Sequence, residues 1–335
     1  MGRNPSLLIL AMALAFQSWQ VAAASEFSVA SVAKTTKVLW KDPVDIRSRD
    51  LFYGPGGQDG QPKEPFTFIE EDRGGTNPKF DVRDTAGVKW KVKLGLEARP
   101  ETVATRLMWA VGFVTNENYF LRETAVQNMP RHLERGQNLV GRNGTIEAAR
   151  LQRPLQGKKV GNWDWKHNPF VGTREFNGLR VMMALLSNWD LRKVNNAIYV
   201  DSRENDPEFY EVSDLGSSFG KTGESYRSSK SKNNLHAYQN AKFISKVSAT
   251  RVSFNFPTHF PFLYILNLPH FISQFRHRWV GKNIPRSDVR WVAGLLSQLS
   301  HKQICDAFRA GGYSPDQVEA FAAAVEKRIA QLKEL

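Results

Sequence analysis

Strict alternation marks the segment from Val88 to Leu94. Val88, Trp90, Val92 and Leu94 fall on one side and Lys89, Lys91 and Lys93 on the other, the period-2 pattern of a strand with one covered face. From Pro100 to Gly112 the period lengthens. Val103, Ala104, Leu107, Ala110 and Val111 make a helical stripe with proline near its start and glycine at its end. Short apolar runs at Phe66 to Ile69 and Phe80 to Val82 predict two further strands joined by the glycine-containing turn Arg73 to Lys79, and Gly144 to Pro154 predicts a strand leading into a hinge. Thr173 is placed to cap a helix from Arg174 to about Asn188, whose Phe176, Leu179, Val181, Met182, Leu185 and Leu186 are core positions. Ala197 to Val200 and Phe209 to Val212 read as a hairpin across the polar turn Asp201 to Pro207. The aromatic, proline-broken run Phe254 to Leu266 reads as core. Two amphipathic helices are expected to close the chain, the last with a Ser314-to-Gln317 capping box and a stripe of Val318, Phe321, Val325, Ile329 and Leu332. The pattern as a whole predicts an α+β fold.

Candidate chemistry concentrates between residues 188 and 216. Phosphoryl transfer needs a carboxylate to orient the attacking hydroxyl and oxygen ligands to hold Mg²⁺ against the phosphates. Asp190 can serve as the first, Asn195 and Asp214 as the second. Asn195 follows Asp190 by five positions, the interval of a kinase catalytic loop, and Asp214-Leu-Gly216 stands where a kinase has Asp-Phe-Gly. Upstream, the Lys89 to Lys93 strand can point a lysine at phosphates, Glu101 lies in the first turn of the next helix where it can pair with Lys93, and the turn at Gly74 and Gly75 can bring backbone N–H groups near phosphate oxygens. Each piece alone also has a plain structural reading: a solvated strand face, an acidic residue favourable to a helix N-terminus, an ordinary turn.

Other signatures compete for the same residues. Gly216-Ser-Ser-Phe-Gly220 matches a hydrolase nucleophile elbow with Ser218 as nucleophile, but Lys221 to Asn234 lacks the helical stripe an elbow must open into. A Walker A loop fails there by one residue and for the same missing helix. Trp163, Trp165 and Phe170 lie in a polar loop and read as staples to the core rather than as an acceptor pocket. The seven histidines show no metal-binding spacing, which leaves zinc catalysis unsupported, and His270 and His277 share a helical face as core or rim residues.

The ordered set of Gly74-Gly-Thr-Asn-Pro-Lys79, Lys93, Glu101, Asp190 with Asn195, and Asp214-Leu-Gly216 resembles the atypical kinase-fold proteins grouped around HipA, the spore-coat CotH kinases, the Golgi casein kinase and the phosphatidylinositol kinases. That resemblance implies a bilobal kinase-like fold with a β-rich N-lobe at residues 66–153 and a mainly helical C-lobe at 154–335. It implies ATP and Mg²⁺ (or Mn²⁺) as cofactors, with Gly74, Gly75 and Lys79 in the phosphate loop and Lys93 on the α- and β-phosphates. Glu101 becomes the ion-pair partner of that lysine, Asp190 the catalytic base, and Asn195 and Asp214 the metal ligands, with Asn196 as the alternative. The acceptor is left open among protein, sugar and lipid hydroxyls, and transfer of an AMP group is a variant of the same expectation. Trp189 departs from the kinase His-Arg-Asp, and no Ala-Pro-Glu follows Asp214.

Charge and the first residues set the context. Arg3, the apolar run Leu7 to Phe16 and Val21-Ala-Ala-Ala-Ser25 make a secretory signal peptide with cleavage after Ala24, so the protein is expected to be exported, periplasmic or secreted. Residues 25–65 read as an N-terminal extension wrapping the small lobe. A net charge of +13 favours an anionic partner such as phosphates, an acidic surface polymer or a membrane face, while no nucleic-acid-binding motif accompanies it. A single cysteine, Cys305, leaves stability to packing rather than to an intrachain disulfide.

Overall fold

The computed structural model describes residues 35–74, 77–201, 207–221, 231–255 and 277–335. The segment expected to be a signal peptide, Gly75, the turn at 202–206, residues 222–230 and the segment 256–276 with His270 lie outside them, as does most of the aromatic run that begins at Phe254. Among the described residues no helix is long and apolar enough to cross a membrane.

Strand β1 is Lys37–Val38. Strands β2 (Phe66–Asp72), β3 (Lys79–Arg83), β4 (Lys89–Lys93), β5 (Glu117–Gln127) and β6 (Thr145–Arg153) close into a five-stranded barrel in the order β2-β3-β4-β6-β5. The alternation in β4 explains its seat. Trp90, Val92 and Leu94 are buried with Phe66, Phe80, Val82, Tyr119, Ile146 and Leu151, and the Trp90 indole donates to Asp84 at 2.9 Å. On the opposite side of β4, Lys89 meets Glu70 and Asp81 while Lys91 meets Asp72. Lys93 alone of the three turns inward, under the helix α1 (Ala98–Ala110) that follows.

Helix α1 carries its expected stripe into a second, larger core shared with α2 (Arg174–Leu186), α3 (Leu235–Asn240), α4 (Arg286–Leu296), α5 (His301–Ala310) and α6 (Pro315–Lys333). At its end Gly112 takes φ +93°, where a Cβ would stand 2.2 Å from the Lys41 carbonyl, so only glycine fits. Leu39, Ile46 and Leu51 enter the helical core as well, so the segment before the barrel packs on the helices, while its Gly57 carbonyl accepts from Tyr119 of the barrel at 2.9 Å. A second sheet runs β1-β9-β8-β7, from β7 (Lys158–Gly161), β8 (Asn196–Val200) and β9 (Glu208–Val212). In it β1 lies parallel to β9, and β8 and β9 form the expected antiparallel pair. A small sheet joins β10 (Ile244–Val247), β11 (Arg251–Phe254) and β12 (Ile284–Pro285).

Three amphipathic helices close the chain rather than two. Ser300 caps α5 and Ser314 caps α6, each in a full capping box with the glutamine three residues on. Arg328 of α6 is buried and donates to the carbonyls of Leu185 and Tyr238 (2.9 Å each) and to Ser187 Oγ (2.8 Å), tying three helices at one guanidinium. Trp163 and Trp165 are buried staples with ring centroids 5.0 Å apart.

Candidate active site

The site assembles where β4, α1 and the end of β9 meet. Lys93 is 2 % exposed, and its ammonium contacts three carboxylates: Glu101 Oε2 at 2.8 Å, Asp214 Oδ1 at 3.0 Å and Glu97 Oε2 at 3.1 Å. The bonds to Asp214 and Glu97 are aligned hydrogen bonds, whereas the Glu101 contact is electrostatic. Glu101 is shared, because Arg150, the cross-strand partner of Lys93 on β6, donates to its other oxygen at 2.9 Å. Glu97 also accepts from Lys232 and from Asn77, so one side chain links the glycine-rich turn, the lysine strand and the chain beyond Asp214. Gly216 packs directly on it, with room for nothing larger, since a Cβ would lie 2.7 Å from the Glu97 Cβ. Three cations thus offset three carboxylates, two of them buried and the third, Asp214, part-exposed, which is the condition for holding such charges largely away from water.

The electrostatics follow from that arrangement. Burial opposes charge on Lys93, but Glu101, Asp214 and Glu97 outweigh it and push the ammonium above its ordinary value. For Asp214 burial works against ionisation and is overcome by Lys93 and by the Gly216 N–H, leaving its carboxyl at about 2. Glu97 is held low in the same way, burial being offset by Lys93 and Lys232. Lys93 and the Gly216 N–H both bond Asp214 through Oδ1, and among the described residues its second oxygen makes no hydrogen bond on a side chain that is one-third exposed. Glu97, Glu101 and Asp214 together form a carboxylate triad dense enough to hold a cation, with the Lys93 ammonium playing that part here.

Helix α2 stops at Ser187 in a left-handed conformation (φ +53°), and this brake throws the chain into the Asn188 to Asn195 loop. Asn188 accepts the Asp190 N–H at 3.0 Å. Asn195 returns the favour one turn on, its Nδ2 donating to the Asp190 carbonyl at 2.9 Å, while its own carbonyl receives the backbone N–H groups of Ser213 (2.8 Å) and Asp214 (3.3 Å). The loop and the Asp-Leu-Gly segment are therefore pinned through Asn195. Asn196 instead donates to the Trp163 carbonyl at 2.9 Å. The Asp190 carboxylate is gripped by a two-pronged Arg192 at 2.7 and 2.8 Å and makes no direct contact with Lys93.

Of the residues singled out in the sequence, Lys93, Glu101 and Asp214 meet at one point, and Asp190 and Asn195 form an adjacent loop tied to Asp214 through backbone. Gly74 and Lys79 converge elsewhere, on Asp72, which accepts the Gly74 N–H at 2.9 Å and lies 3.8 Å from Lys79. Burial lowers the Lys79 ammonium, and the neighbouring Lys93 adds to that, with Asp72 opposing. Ser218 is fully buried, its Oγ within 3.4 Å of Asn188 Nδ2, and Phe219 beside it lies in the helical core, so no hydrolase elbow is formed there. Glu97, Arg150, Lys232 and Arg192 were not foreseen. Only Glu97 left a local signal, its spacing of four from Lys93. A concavity of about 720 Å³ bounded by α3 and the end of α6 contains none of these residues.

No protein-family model matches the chain, and no curated protein matches it. Among solved structures, one described as a Helicobacter pylori proinflammatory kinase, CtkA, aligns over 80% of this chain and 95% of its own with 12% identity and a TM-score of 0.44, too distant to assign chemistry.

Proposed function

We propose that this protein is an exported, atypical kinase-like phosphotransferase that moves the γ-phosphate of Mg·ATP to a hydroxyl acceptor, with the barrel at 66–153 as N-lobe and 154–335 as C-lobe. The observation that carries the reading is the three-way contact of a strand lysine, a helix glutamate and the Asp-Leu-Gly aspartate at Lys93, Glu101 and Asp214, beside a loop in which Asn195 joins Asp190 to Asp214. In this reading Glu101 and Arg150 hold Lys93 in place for phosphate oxygens, and the free Oδ2 of Asp214 with the Asn195 side chain supplies oxygen ligands of the hard type that Mg²⁺ prefers. Bound Mg²⁺ would neutralise charge on the phosphates. Asp190 orients the acceptor hydroxyl, and Arg192 fixes its carboxylate in one rotamer. Gly74 and Lys79, grouped on Asp72, border the phosphates from the barrel side.

A second reading, a nucleotide- or anion-binding module without turnover, draws on the same geometry: both key carboxylates are already engaged, Asp214 by Lys93 and Asp190 by Arg192. A thermal-shift titration with ATP and Mg²⁺ or Mn²⁺, joined to a radiolabelled transfer assay, separates the two. The expected result is a metal-dependent rise in melting temperature that Asp214→Ala loses and Asp190→Ala keeps, with transfer lost in both. Binding without any transfer by the unaltered protein selects the second reading. Metal-dependent binding retained in Asp214→Ala overturns the site assignment.

A further inference from the structure

Away from Lys93, the paired helices α5 and α6 bring four metal-ligating side chains to one spot. His301 opens α5 just after its Ser300 cap, and Cys305 lies one turn further on the same face. Glu319 and Glu326 project toward them from α6. His301 Nε2 is 3.1 Å from Glu319 Oε2 and 3.4 Å from Cys305 Sγ, and Cys305 Sγ is 3.7 Å from Glu319 Oε1. Bond lengths of about 2.0–2.1 Å to nitrogen or oxygen and about 2.3 Å to sulfur give a tetrahedral zinc site ligand–ligand edges of about 3.3–3.6 Å. The His301–Cys305 edge falls in that range, and Glu319 comes within 3.1 Å of the imidazole through Oε2 and within 3.7 Å of the sulfur through Oε1, so one carboxylate oxygen completes the set after a rotation of the Glu319 side chain.

The other ring nitrogen is held as well. Glu326 Oε1 is 3.0 Å from His301 Nδ1, the carboxylate–histidine arrangement that fixes which nitrogen faces a metal and raises its basicity. Cys305 is buried, whereas the His301 and Glu319 side chains are 54% and 59% exposed, which leaves an approach for the ion and a fourth position open to water. Nearby Asp306 is engaged by Lys302 and Arg309 and adds no ligand. Thiolate with imidazole selects zinc-like ions over Mg²⁺ or Ca²⁺.

We propose that His301, Cys305 and Glu319 bind a divalent transition metal of the zinc type, with Glu326 positioning the imidazole, and that the ion clamps α5 to α6. Binding releases the thiol proton and the His301 Nε2 proton to solvent, the Nδ1 proton staying on the Glu326 side, and the thiolate and the Glu319 carboxylate together balance the two charges of the ion. The site is independent of the phosphotransfer reading, because none of its ligands touches the Lys93 cluster. The sequence signal was His-x-x-x-Cys at 301 and 305, missed because Glu319 closes the set from another helix.

Tag-free, chelator-treated and reduced protein titrated with Co²⁺ tests this directly. The expected result is one Co²⁺ per chain with a sulfur-to-cobalt charge-transfer band, displaced by Zn²⁺, and a higher melting temperature with either metal. The band is lost in Cys305→Ser and His301→Ala, binding weakens about 10- to 100-fold in Glu326→Gln, and the band persists in Asp214→Ala. Glu319→Gln, on an exposed side chain that does not threaten folding, also weakens it. Absence of the band at saturating Co²⁺, or binding unchanged in Glu319→Gln and Cys305→Ser, overturns the proposal.

Discussion

Glu211 offers the sharpest test of the electrostatic reasoning. It lies on β9, three residues before Asp214, wholly buried, with one oxygen accepting the Asn116 N–H at 3.1 Å and the other unpartnered. Burial pushes its carboxyl up to about 8, with the Asn116 hydrogen bond and the more distant Lys159 and Arg150 opposing and Glu101 adding to the rise. A raised carboxyl means that the folded state favours the protonated form. Its contribution to stability is therefore complete below about pH 4.5 and is lost as pH climbs toward 8, at about 1.4 kcal/mol per pH unit for one proton. Glu211→Gln removes this titration while keeping the acceptor for Asn116. Between pH 5 and pH 8 the stability of Glu211→Gln relative to the unaltered protein should rise by about 4 kcal/mol, read as a relative gain of roughly 5–10 °C in melting temperature for a domain of this size. The comparison is a double difference, so other titrating groups cancel. A melting-temperature difference that stays flat from pH 5 to pH 8 would refute the account of a buried, uncompensated carboxyl.

Other expectations concern the site cluster and the caps. Lys93→Met leaves Glu97, Glu101 and Asp214 short of one buried cation and should cost about 3–5 kcal/mol in denaturant unfolding; a cost below 1 kcal/mol would mean the carboxylates are better solvated than their burial implies. The stabilising charge of Asp214, held at about 2, is present above about pH 4 and lost as pH falls toward 2, so the deficit of Asp214→Asn should shrink by about 1–2 kcal/mol between pH 5 and pH 2.5 in urea titrations. Gly216→Ala drives a methyl into Glu97 and should destabilise by about 1–3 kcal/mol while also weakening Mg·ATP binding, measured by the same thermal-shift titration. Ser314→Ala removes the α6 capping box and should lower stability by about 1 kcal/mol with no effect on nucleotide binding.

The sequence carried the local elements well where one period dominated. The alternation at Val88 to Leu94, the stripe after Pro100, the Thr173 cap and the Ser314 capping box all stand in the structure at those residues. Lys93 could be placed with Glu101 because a strand lysine and a first-turn glutamate lie close in sequence. Barrel closure was not legible, since it depends on the long β5–β6 pairing and on β2 meeting β5 in parallel, which leave no signature in local period. Nor was Arg150 foreseen, as only the strand register sets it across from Lys93. Lys232 reaches Glu97 over more than a hundred residues, and no spacing rule could announce it. The Arg192 grip on Asp190 was overlooked at a separation of two, where loop geometry rather than periodicity decides contact.

The two-residue strand β1 has a consequence for how the molecule comes into being. Lys37 and Val38 pair with Glu208 and Phe209, the strand that leads to Asp214, across about 170 residues of intervening chain. The barrel strands find partners much closer in sequence and close their loops at lower entropic cost. A chain made from its N-terminus must therefore keep β1 waiting while the barrel forms, and completes the sheet behind Asp214 only when β9 arrives. The meeting of Lys93 with Asp214 is then expected late in that order of assembly, and a slip at residues 37–38, which would also part Lys37 from Glu208, would leave the edge of β9 unpaired at a strand that carries none of the site residues.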